Sequence, residues 1–183
     1  MRRNFFPALL VFISIVLMSV SSCKKEKMEL DEEELITTVH LTFFETGTGN
    51  TSVVTFRDTD GEGGNPPSEF DDIVLNANKT YTCAISVLNE SVNPADDVTA
   101  EIMNESENHQ FYFIVTGVPV TVTTLDTDMD GLPLGLLTRW VTTSAGSGIA
   151  RVVLKHKPGI KSAGDDVSKG ETDIELVFNL TVQ

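Results

Sequence analysis

From Leu35 onward, apolar side chains recur at every second position over much of the chain. Ile174, Leu176, Phe178, Leu180 and Val182 alternate with Asp173, Glu175, Asn179 and Thr181, and Val177 is the one break. Val39, Leu41 and Phe43 alternate with Thr38, His40 and Thr42. Tyr81, Cys83, Ile85 and Val87 alternate with Thr82, Ala84 and Ser86, and Val118, Val120 and Val122 with Pro119, Thr121 and Thr123. A period of two marks strands with one buried face. Less regular stretches rich in Val, Thr, Ile and Phe at 52–57, 72–75, 110–116, 134–143 and 148–156 predict further strands. Gly, Asn, Asp and Pro clusters separate them, as at Gly47 to Asn50, Gly61 to Pro67, Asn76 to Asn78 and Asp130-Gly131. One helix is expected near 94–107, capped by Asp96 or Asp97, with Val98, Ile102 and Met103 facing inward. About nine short strands without helical crossovers predict an all-β fold, an antiparallel, Ig-like β-sandwich carrying that single short helix.

The beginning of the chain follows a different pattern. Arg2 and Arg3 precede an apolar run from Phe5 to Val20 that Pro7, Ser14 and Ser19 interrupt. A basic head, an apolar stretch and small residues after it are the parts of a secretory signal peptide. The run is shorter than the roughly 20 apolar residues of a spanning helix. It ends in Val20-Ser21-Ser22-Cys23, which resembles the bacterial lipobox. That resemblance implies a diacylglycerol on the Cys23 sulfur, cleavage before Cys23 and acylation (palmitate among the usual chains) of its new amino group. More than one acyl chain suffices for stable membrane anchoring. Residues 1–22 are then the signal peptide and Cys23 the lipid-bearing first residue. Residues 23–34, almost all charged and without apolar period, form a solvated tether, and 35–183 form the sandwich domain.

Lys24 stands where an inner-membrane retention signal usually has aspartate, so the resemblance implies outer-membrane sorting. The acidic tract after it resembles surface-export signals and serves equally as a spacer. The periplasmic face and the cell surface both fit.

Charge narrows the partners. Residues 35–183 carry 8 Lys and Arg against 21 Asp and Glu, a net −13. A surface this acidic repels phosphates and argues against nucleic acid. It suits solubility on a crowded envelope, where a protein or glycan partner is possible. With Cys23 committed to lipid, Cys83 has no disulfide partner, and its place on an apolar strand face makes it a core residue.

Two aspartate-rich loops are the candidates for chemistry. Asp126-Thr127-Asp128-Met129-Asp130-Gly131 has the D-x-D-x-D-G spacing in which alternate carboxylates converge on a calcium ion and glycine permits the sharp turn. Leu137 occupies the position of the bidentate glutamate of an EF-hand, so the likeness is to minimal calcium loops of extracellular β-domains. Asp58, Asp60, Glu62 and Asn65 form a second cluster of hard oxygen donors. If the loops meet at one end of the sandwich, Asp58, Asp60, Glu62, Asn65, Asp126, Asp128 and Asp130 compose a Ca2+ site. The same residues also make ordinary hairpin turns.

Glu101, Glu105 and His109 fall at helical spacing, a zinc-like arrangement or a solvated helix end. His156 shares parity with Val152 and Leu154, as a core histidine would. Arg151, Lys155 and Lys157 form a basic stripe that either receives an anionic partner or pairs with Asp173 and Glu175 of the next strand. Trp140, Phe70 and Tyr112 are the aromatics that a glycan platform would need around the acidic loops. No GxSxG, Walker, dinucleotide or HExxH pattern occurs. A non-catalytic binding or accessory module is therefore expected, with a purely structural envelope role as the alternative and a hydrolase less favoured.

The segments Glu34 to Val39, Glu107 to Gln110, Gly131 to Leu136, Val153 to Pro158, Gly170 to Glu175 and Thr181 to Gln183, in this order, are similar to a family of small Gram-negative lipoproteins. These often carry the label "type 1 periplasmic binding fold superfamily protein". The resemblance implies a lipoprotein but no activity, ligand or site residue. Without βαβ alternation, the expected fold remains the antiparallel sandwich.

Overall fold

A computed structural model describes residues 35–61 and 63–183. The signal peptide expected at 1–22, Cys23, the tether at 23–34 and Glu62 lie outside the described residues. Ten strands and one helix follow one another in the described chain. They are β1 (Thr38–Glu45), β2 (Thr51–Arg57), β3 (Glu69–Phe70), β4 (Ile73–Leu75), β5 (Thr80–Leu88), α1 (Val98–Asn104), β6 (His109–Thr116), β7 (Val120–Thr124), β8 (Leu137–Thr142), β9 (Gly146–His156) and β10 (Glu171–Val182). One sheet has the order β3-β2-β1-β5-β8-β7 and the other β4-β10-β9-β6. The all-β sandwich read from the alternation is the architecture observed.

The alternation reaches the core as expected. Val39, Leu41 and Phe43 of β1, Tyr81, Cys83, Ile85 and Val87 of β5, and Leu176, Phe178, Leu180 and Val182 of β10 are all buried. Val177, the break in the pattern, simply points outward. Trp140 is fully buried, edge-on to Phe43 (5.2 Å between centroids) and Phe113 (5.9 Å). Its Nε1 donates to Thr138 Oγ1 at 2.9 Å, satisfying the one polar atom the indole takes inside. Phe70 meets Phe56 at 5.2 Å and Phe178 at 5.1 Å, so an aromatic row closes one flank between the sheets. Gly135 is required where the chain enters β8. Its φ is +94°, and a Cβ there would lie 2.8 Å from the Cβ of Phe111.

Four differences from the sequence reading have physical reasons. β4 pairs with β10 in parallel, Ile73 opposite Leu180 and Leu75 opposite Val182, while the other pairs are antiparallel. Parallel neighbours need a long crossover, and here most of the domain supplies it. β7 begins at Val120, after Pro119, which has no N–H to give a ladder. β8 begins at Leu137 because Leu134 and Leu136 are used in irregular contacts, their carbonyls accepting from Phe111 N and Ile85 N.

The helix is shorter than expected. Asp97 caps it by accepting from Ala100 N, but two turns present only one stripe, formed by Val98 and Ile102. Met103, expected inside, lies about 100° away from that stripe and is 59% exposed. Thr99 docks the helix: its Oγ1 donates to Val87 O at 3.1 Å and accepts from Val87 N at 2.8 Å.

Candidate metal centre

The end of the sandwich where β6 begins and β9 finishes holds the densest set of ligating side chains among the described residues. His109 and His156 are direct partners in the β6–β9 register and share the inner-face parity of their strands. Their rings stack with centroids 4.8 Å apart and planes 20° from parallel. Glu105, the C-cap of α1, completes the group. One donor atom from each of Glu105, His109 and His156 lies within 4.8 Å of the others.

His109 is 3% exposed, and its Nδ1 is 3.2 Å from the Glu105 carbonyl oxygen. A carbonyl only accepts, so Nδ1 carries the hydrogen and Nε2 presents its lone pair. That Nε2 is 3.9 Å from Asp173 Oδ2, too far for a hydrogen bond. Asp173 reaches this place through the register shift between Thr172 and Ile174 on β10. Burial pushes the His109 imidazole below its ordinary range, with the neighbouring His156 and Lys161 acting the same way. The Glu105 carbonyl and carboxylate oppose them. Two imidazoles and a carboxylate are a donor set for borderline first-row divalent metals rather than for calcium.

The aspartate loops are arranged differently from the expected composite site. They leave β2 and β7 at the same end of the six-stranded sheet, but β1, β5 and β8 stand between those strands, roughly 19 Å at four strand spacings. The six described members of the expected site, Asp58, Asp60, Asn65, Asp126, Asp128 and Asp130, therefore do not converge on one point. Asp126 accepts from Gly135 N and Leu136 N through its two oxygens, both at 2.9 Å. Asp128 Oδ1 accepts from Asp130 N at 3.0 Å and Leu132 N at 2.8 Å. Its Oδ2 forms an ion pair with Lys161 Nζ at 2.7 Å, the two side chains being 0% and 2% exposed.

The same ammonium donates to Ser106 O at 2.7 Å. Burial disfavours the charged Asp128, but Lys161 and the two N–H donors outweigh it and hold the carboxyl below its usual range. In the first loop, Asp60 Oδ2 accepts from the backbone N and side-chain Nδ2 of Asn65 at 2.9 and 2.6 Å. Its carboxyl is lowered by those bonds. Asp58 follows β2, its N–H bonded to Thr37 O, and Asp130 lies in the turn that Asp128 organises.

The basic stripe neutralises itself. Arg151 makes a two-pronged contact with Glu175 at 2.6 and 2.8 Å, and Lys155 donates to Thr172 Oγ1 at 2.8 Å. Lys157 is buried under the 157–170 segment, where it pairs with Asp165 at 3.0 Å, donates to Asp166 O and lies 4.6 Å from the Tyr112 ring centroid. Trp140 in the core, Phe70 on the opposite flank and Tyr112 over Lys157 leave no shared aromatic platform. Burial pushes the Cys83 thiol up to about 12, which suits a core residue and not a nucleophile.

The helical spacing of Glu105 and His109 hinted at a donor pair, beside the alternative of a solvated helix end. The helix ends at Asn104, and the cluster is completed by His156, whose approach depends on a strand pairing that no local pattern encodes. No protein-family model, curated protein or solved structure matches the chain.

Proposed function

We propose that this protein is a lipid-anchored lipoprotein of the Gram-negative outer membrane whose sandwich domain is a non-catalytic binding or accessory module for another envelope component. The observation that carries the reading is the sequence Val20-Ser21-Ser22-Cys23 at the end of a basic-headed apolar run, followed by a charged tether and an acidic domain. The domain supports it in two respects. Trp140, Phe43, Phe111 and Phe178 fill the space between the sheets, and the thiol of Cys83 is held in an unreactive state inside it. None of the helices among the described residues is long and apolar enough to cross a membrane; in this reading, acyl chains on Cys23 supply the anchor.

The test is metabolic labelling with palmitate and mass spectrometry of the mature N-terminus. A diacylglyceryl group and an added acyl chain on Cys23 are expected, and Cys23→Ser abolishes the label and leaves the precursor uncleaved. A mature N-terminus other than Cys23, or a wild-type chain that takes up no palmitate label, would sink the reading.

A further inference from the structure

We propose that Glu105, His109 and His156 form a binding site for a borderline divalent metal of the zinc class. The proposal is independent of the lipid anchor.

Three elements bring the donors together: the C-cap of α1, the first residue of β6 and the last residue of β9. His109 already has the arrangement that a ligating histidine requires. One ring N–H is fixed by a backbone carbonyl, which sets the tautomer and aims the other nitrogen. The carbonyl belongs to Glu105, so the residue that orients one ligand supplies another. At Nε2, a lone pair faces the Asp173 carboxylate across 3.9 Å.

The site must tighten to close on an ion. Zinc bonds of about 2.0–2.1 Å place tetrahedral donors roughly 3.3 Å apart. The donors now lie up to 4.8 Å apart. The half-buried His156 ring, now stacked on His109, has to turn out of the stack to aim its nitrogen at the same point, and its place at the rim of the sandwich gives it room. Glu105 is exposed and free to swing inward. Imidazole donors select zinc, copper or nickel over calcium and magnesium. A bound ion would tie the helix end to two strands of the second sheet.

The experiment uses the full chain in detergent, purified without a histidine tag, with Zn2+ titrated against a chromophoric chelator. The chain has 3 histidines, so His40, which bonds Thr55 on the other sheet, is an internal control. One Zn2+ per chain is expected, with the side-chain nitrogen resonances of His109 and His156 moving and those of His40 still. His156→Ala and Glu105→Gln each weaken binding by about 10–100-fold, the scale on which even supporting groups act. His40→Ala leaves the affinity unchanged.

Both test positions avoid the buried His109, so the variants stay folded, which their thermal midpoints in chelator verify. Zinc at 100 times its Kd raises the wild-type midpoint by about 5–10 °C. No stoichiometric binding, or binding that survives both variants, overturns the proposal.

Discussion

The aspartate loop at 126–131 and the histidine rim beside it both gather donor atoms around a small volume, and they differ in what fills it. In the loop, the cation is part of the chain: the Lys161 ammonium sits 2.7 Å from Asp128 and 2.7 Å from the Ser106 carbonyl. In the rim, two imidazoles and a carboxylate gather instead, with the Lys161 ammonium near enough to His109 to help lower its pKa. A donor-rich loop can thus be complete without a metal, because a lysine arriving from 33 positions downstream satisfies the charge. Spacing of carboxylates reports the potential to hold a cation, and only the tertiary structure reports which cation holds the place.

The sharpest way to break this contrast is Lys161→Met. Removing one partner of a buried pair leaves an uncompensated charge, and a loss of about 3–5 kcal/mol is expected in chemical unfolding. The double variant Lys161→Met with Asp128→Asn should recover part of that loss, since the neutral amide keeps an acceptor for Asp130 N and Leu132 N without a buried charge. If the single variant is neutral, the ammonium is not the loop's cation.

A smaller effect concerns acid. Asp128 is held below its ordinary 3.8, so the folded state binds fewer protons there than the unfolded chain. Its stabilising contribution is fully present above the unfolded value and is lost as pH falls through the lower folded one. Unfolding free energies measured from pH 5 down to pH 2.5 should fall less steeply for Asp128→Asn than for wild type. Equal slopes would place the acid sensitivity elsewhere.

The smallest expected effect is that of calcium on the wild-type protein. With Lys161 on Asp128 and backbone amides on Asp126, millimolar Ca2+ should move the thermal midpoint no more than Mg2+ does, within about 1 °C of the EDTA value. A calcium-specific rise that Asp60→Ala abolishes would locate an ion in the 58–65 loop. One that Asp128→Ala abolishes would show that calcium displaces the ammonium.

These differences mark how far the sequence could be read. β1, β5 and β10 were legible because each has one face in the core and one in water, so burial is written into alternate residues. The pairing of Arg151 with Glu175 was legible for the same reason, since cross-strand charges on an exposed face are local to a hairpin-like pair. The helix was overestimated because its cap is a local signal while its length is set by the docking of Thr99 on β5. The parallel β4–β10 pair and the meeting of His109 with His156 were not legible. Both depend on which strands become neighbours, a choice made by packing between segments far apart in sequence. The pairing of Lys161 with Asp128 was not legible for that reason too: two strands and a loop separate them along the chain.

The parallel seating of β4 against β10 also has a meaning in time. Asn179 and Asp72 touch across 107 positions of sequence, and Ile73 and Leu75 lie opposite Leu180 and Val182, which are synthesised long after them. Until β10 is available, the second sheet lacks the strand that joins β4 to β9, and the apolar stripe of β4 has nothing to lie beside. A chain on which β10 has not yet been made therefore carries, in β4, a short adhesive segment with no strand to pair with.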